Sequence, residues 1–144
     1  MRKGQISIEY LFILAMSLAI IIPGSMMFFR YSQESNEQLV ASQINRIGTN
    51  VITTAEEIYT VGDGSWITLD VTIPQSAKDA YVEGDDLVIE YRSSSGITEA
   101  VFFSDIDIQG PYADGAISPS FHTGTMQIRV ESKGDYVLIQ EYLS

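Results

Sequence analysis

Apolar and polar residues fall along the chain in three regimes, and each predicts a different element. From Tyr10 to Phe29 no residue is charged and most are apolar, a run of 20 residues. At about 1.5 Å rise per residue a helix of that length covers the roughly 30 Å hydrocarbon core of a bilayer. From Ser32 to Tyr59 the pattern becomes amphipathic: Val40, Ile44, Ile47, Val51, Ala55 and Ile58 recur every three or four residues. Glu34, Glu37, Gln38, Asn45, Arg46 and Asn50 occupy much of the remaining surface, and Gly62 is placed to end the helix. If the two helical regimes are continuous, residues 6 to 60 form one rod of roughly 80 Å. Such a rod cannot be core along its whole length, so the Val40 to Ile58 stripe is expected to pack on the sheet that follows.

After Gly62 the period is two. Ile67, Leu69, Val71 and Ile73 alternate with mostly polar neighbours between Trp66 and Pro74, which predicts a half-buried strand. Leu87 to Arg92 and Ile97 to Ser104 read as a hairpin across Ser93-Ser94-Ser95-Gly96. Thr125 to Glu131 and Tyr136 to Leu143 read as a second, across Ser132-Lys133-Gly134-Asp135. Tyr81 to Glu83 adds a short strand, and Asp105 to Gly124, rich in Gly, Pro, Ser and Asp, is expected to be a long loop.

Composition narrows the chemistry. At 144 residues the chain has room for one ordinary domain and an appendage. Eight Lys and Arg against 19 Asp and Glu give a formal charge of -11, which argues against a nucleic-acid partner because phosphate binding needs clustered cations. Cysteine is absent and His122 is the sole histidine, so a disulfide, a thiolate nucleophile and a multi-His zinc site are excluded. No cofactor and no catalytic role are expected.

Charge also marks the ends of the apolar run. Arg2 and Lys3 precede it, and the positive-inside rule then keeps the N-terminus cytosolic and sends the chain after Phe29 outside. Glu9 stands at its start, where a plain anchor needs no acid and where a charge near the bilayer centre would cost about 2.5 kcal/mol or more. If Glu9 lies at the cytosolic interface, it simply reaches headgroup water. A secretory signal would need a small-residue cut site after the apolar run; Gly24 or Ser25 could serve, but Met26 to Phe29 continue it and Glu9 interrupts its start.

The stretch Lys3-Gly4-Gln5-Ile6-Ser7-Ile8-Glu9-Tyr10-Leu11 resembles the class III signal peptide of archaeal type IV pilins, with their Gln-x-Ser-x-Glu pattern directly before the hydrophobic helix. The likeness covers about 25 residues. It implies cleavage by a prepilin peptidase between Gly4 and Gln5, leaving the helix on the mature chain with Glu9 as its fifth residue. A glycine at the cut lets backbone enter a protease cleft closely. Pro23-Gly24 suits such a helix, since proline removes one hydrogen bond and permits a kink. The Ser7-Ile8-Glu9 pattern departs from the Gly-rich signal regions of archaellins. No Asn-x-Ser/Thr sequon occurs at Asn36, Asn45 or Asn50, so the N-linked glycan of many such filaments is not expected.

Other candidate chemistry is thinner. Asp105-Ile106-Asp107-Ile108-Gln109-Gly110 begins like a calcium loop, but Ala116 stands where the bidentate acid belongs. Asp85-Asp86 after Gly84 reads as a turn. His122 lies near Ser120 without a nucleophile-elbow pattern and reads as an exposed loop histidine. Trp66, Tyr112 and Phe121 are candidates for an adhesive aromatic surface or for core.

The expectation is an α+β chain: a leader at 1–4; a long helix at 5–61, with 5–29 as membrane span and filament core and 30–61 amphipathic; and an extracellular antiparallel β-domain at 62–144. The resemblance implies a membrane precursor that polymerises with copies of itself through its N-terminal helices into a cell-surface adhesive filament, as a main or a priming subunit. The competing expectations are a membrane-anchored extracellular binding domain that never polymerises and a secreted domain released near Gly24.

Overall fold

A computed structural model of the chain describes residues 2–143. It is α+β: one helix, α1 (Arg2–Val61), is followed by β1 (Trp66–Ile73), β2 (Ala77–Glu83), β3 (Asp86–Ser93), β4 (Gly96–Phe103), β5 (Ile108–Gln109), a 3-10 turn (Ala113–Gly115), β6 (Gly124–Ser132) and β7 (Val137–Glu141). The chain divides into two compact units, one through Gln38 and one from Leu39. The expected boundaries at 29 and 61 follow the hydropathy pattern. The compact unit begins earlier than 62 because the second half of α1 is part of its core.

In the second unit α1 buries Ile44, Ile47, Val51, Ile52, Ala55 and Ile58, while Val40 is only partly covered. Each fully buried aliphatic side chain contributes about 1.5–3 kcal/mol relative to exposure. Gly48 lies on the same buried face, and a Cβ there would come within 2.3 Å of the Phe102 ring. The absent side chain lets the helix sit close against β4. The helix stops where Gly62 takes a positive φ of 116° and its N–H bonds to the Ile58 carbonyl at 3.1 Å. The Ser65 hydroxyl, 2.6 Å from the Gly62 carbonyl and 3.1 Å from that of Ile58, adds a second donor to carbonyls that already accept from the Ser65 and Gly62 N–H groups.

The strands form two sheets, in the orders β1-β6-β7-β5 and β2-β3-β4. β1 covers the expected residues, and Val71 and Ile73 are buried where the alternation placed them. Both expected hairpins are present. In β3–β4, Ser93 opposes Gly96 and the left-handed step falls on Gly96, φ 114°. In β6–β7, Ser132 opposes Val137. The strand expected at Tyr81 to Glu83 begins at Ala77, and the expected loop at 105–124 contains β5, which pairs in parallel with β7 through Ile108 and Val137. The expected antiparallel β-domain is thus present, built as two sheets with one short parallel pair. Ala116 and Ile117 stitch them together: Ala116 bridges to Tyr81, the Ile117 N–H reaches the Ala80 carbonyl at 3.4 Å, and the Glu141 N–H donates to the Ile117 carbonyl at 2.7 Å.

Candidate functional site

Gly4, Gln5 and Glu9 all lie on the exposed first turns of α1. Gly4 and Gln5 fall where backbone N–H groups have no partner one turn back, so this peptide bond is held less firmly than any in the helix interior. A Cβ at Gly4 would meet nothing within 4 Å. Glu9 forms no ion pair among the described residues.

Beyond Glu9 the helix is long and apolar enough to cross a membrane, and none of its most apolar window is buried within the chain. Phe12, Ile20, Met27 and Phe29 are between 66 and 72% exposed. Within the span Ser17 donates its hydroxyl to the Ile13 carbonyl at 2.9 Å, which suits an apolar surround. Helical structure continues through Pro23, whose missing N–H leaves the Ala19 carbonyl without its usual donor.

A second constellation lies in the β-domain. In β7, Val137, Ile139 and Glu141 alternate onto the core side, so an acid occupies a position where the pattern places an apolar residue. Glu141 directly opposes Ile128, and its side chain is only 5% exposed. Both carboxylate oxygens are engaged. Ser118 donates its hydroxyl to Oε2, and Nε2 of His122 lies 2.5 Å from Oε1. The other ring nitrogen, Nδ1, is 3.1 Å from the Thr123 carbonyl. With both nitrogens facing acceptors, the doubly protonated ring is the form that satisfies both contacts. The His122 pKa is accordingly raised above 6.5, chiefly by the hydrogen bond to Glu141 and then by that to Thr123, with desolvation opposing.

Ser, His and Glu thus meet, but not as a nucleophilic triad. The serine hydroxyl is spent on the carboxylate, whereas activation requires it on the imidazole. Ser120, the serine nearest His122 in sequence, contributes its backbone N–H to the Ser118 hydroxyl oxygen at 3.2 Å. His122 is an exposed loop histidine, 47% accessible, as its neighbours suggested, and it is also the lid on a buried acid. Glu141 was legible in principle: an acid in phase with Val137 and Ile139, in a chain with one histidine, calls for a cationic partner.

The remaining candidates separate. Asp105 and Asp107 both precede β5, where the Asp107 carbonyl accepts from the Val137 N–H, and Ile108 between Asp107 and Gln109 is fully buried. Among the described residues no group of three metal-ligating side chains gathers. Asp85 sits in the β2–β3 turn and Asp86 opens β3 opposite Glu83. Phe121 packs on the core, while Trp66 lies under the Arg129 guanidinium at 4.2 Å, with Tyr142 at 5.6 Å from the same cation. A gap of about 10 Å³ among Ile44, Val51, Leu87, Ile117 and Ile139 has apolar walls and room for one water at most, so it is a packing defect rather than a ligand pocket.

Neither a protein-family model, nor a curated protein, nor a solved structure matches the chain.

Proposed function

We propose that the protein is a structural subunit of an archaeal type IV pilus-like surface filament. It is made as a single-pass membrane precursor, cut by a prepilin peptidase between Gly4 and Gln5, and polymerised through residues 5–29 with the β-domain outside the cell. The observation that carries this reading is the bare apolar surface of α1 from Tyr10 to Phe29, beginning directly after Glu9. That surface needs lipid before assembly and sister helices after it, because leaving it in water costs about 25 cal/mol per Å². Adhesion is the role such a filament would serve, and neither catalysis nor a cofactor enters it.

Glu9 separates this reading from a non-polymerising membrane-anchored binding domain. In a helix bundle a buried carboxylate must find a partner, and the α-amine of a neighbouring Gln5, with a pKa near about 7.7–8.0, is a cation of the right kind. If Gln5 cyclises to pyroglutamate that cation is lost, and Glu9 must then be protonated or hydrogen-bonded. Glu9→Leu is expected to leave membrane insertion and cleavage intact while depleting filaments, counted by electron microscopy of sheared cell surfaces. Normal filament numbers from Glu9→Leu would support the view that Glu9 only reaches interfacial water.

A further inference from the structure

We infer that residues 118–123 form a proton-operated latch, in which His122 clamps this loop to β7 while its ring is doubly protonated and lets the loop lift when one proton is lost. The geometry is specific. Glu141 is a core-facing carboxylate with Ser118 on one oxygen and His122 on the other, and it is the charged group facing the ring from β7. From the loop itself the ring meets the Thr123 carbonyl, a neutral acceptor. From β6, Ile128 stands opposite Glu141, so that strand adds no charge at this position.

A neutral imidazole carries a single N–H and cannot serve both acceptors. With the proton on Nε2, Nδ1 presents a lone pair to the Thr123 oxygen. With it on Nδ1, Nε2 presents a lone pair to the carboxylate. Either way one contact at 2.5 or 3.1 Å turns repulsive. The neighbour of His122, Phe121, packs over the end of the core beside Ile117, Ile128 and Ile139. Release of the ring therefore lifts Phe121 and uncovers that end of the core. Ile117 stays behind, because its carbonyl is held by the Glu141 backbone rather than by the side chain. The opening is local, and it is favoured by alkaline conditions.

The test uses the full chain in detergent micelles. Because His122 is the only histidine, its ring Hε1 proton gives one assigned NMR signal whose titration reports the latch midpoint. In parallel, chymotrypsin cleavage after Phe121 is measured by mass spectrometry relative to cleavage after the exposed Tyr31 and Phe103 at each pH, which cancels the pH dependence of the protease. The midpoint should lie above 6.5, and the relative cleavage at Phe121 should rise across it by about tenfold for each unit of that excess. His122→Gln should show the raised level at every pH. Glu141→Gln, if it folds, should bring the midpoint down toward the ordinary histidine value, because Glu141 is the largest cause of the rise. A midpoint at or below 6.5, a cleavage ratio that stays flat through the titration, or a His122→Gln chain as protected as the wild type would overturn the latch.

Discussion

Single residues decide two features of the β-domain. At Gly48 the helix face touches the Phe102 ring so closely that one methyl group has no room. Alanine would gain about 1 kcal/mol of helix propensity, yet overpacking a core contact costs about 1–3 kcal/mol. Gly48→Ala is therefore expected to destabilise the domain by about 1 kcal/mol, read from denaturant midpoints of residues 30–144, and Phe102→Leu in the same chain should recover part of the loss. At His122 the sign of the pH effect follows from the raised pKa. A group that binds its proton more tightly when folded adds stability that is fully present below the unfolded value of 6.5 and is lost as pH rises through the folded value. The unfolding midpoint should fall across that window, and His122→Gln should remove this component. Of these residues only His122 stood out in the sequence, and only as a loop residue. Gly48 sat unmarked inside a helical stripe, because its contact with Phe102 joins positions far apart in the chain.

Elements were legible where a period ran long enough to be recognised. The stripe from Val40 to Ile58 and the alternation from Trp66 to Ile73 each repeat over several turns or pleats, and both became core-facing elements. The start of β2 was hidden because Ala77, Lys78 and Asp79 have weak strand propensity and a register shift lies between Ala77 and Asp79. β5 is two residues long and its partner is parallel, a pairing that no hairpin turn announces. The split into two sheets depends on where Ala116 and Ile117 insert, and that is a tertiary choice.

Pairing also aligns Asp79, Glu90 and Glu99 in one row across β2, β3 and β4, with like charges directly opposite. Glu99→Thr should thus stabilise residues 30–144 at low salt, by about 0.2–1 kcal/mol. The gain should shrink as salt is added. An unchanged or lowered denaturant midpoint at low salt would count against this repulsion.

At the scale of the whole molecule, two surfaces have opposite needs. The amphipathic half of α1 has its sheets to cover it, whereas Tyr10 to Phe29 is bare. Residues 30–144 expressed alone should be soluble and monomeric by light scattering, and their polymerisation would contradict assembly through the N-terminal helix. The proposed cleavage and assembly site rests on a resemblance over about 25 residues, whereas the pattern of the β-domain names a fold class only.

Everything proposed about assembly passes through one peptide bond, and the mass of the mature N-terminal peptide from native cells tests it most directly. The filament reading predicts a chain beginning at Gln5, either free or lighter by one ammonia if cyclised. A chain still beginning at Met1, or one beginning at Ser25, would contradict it.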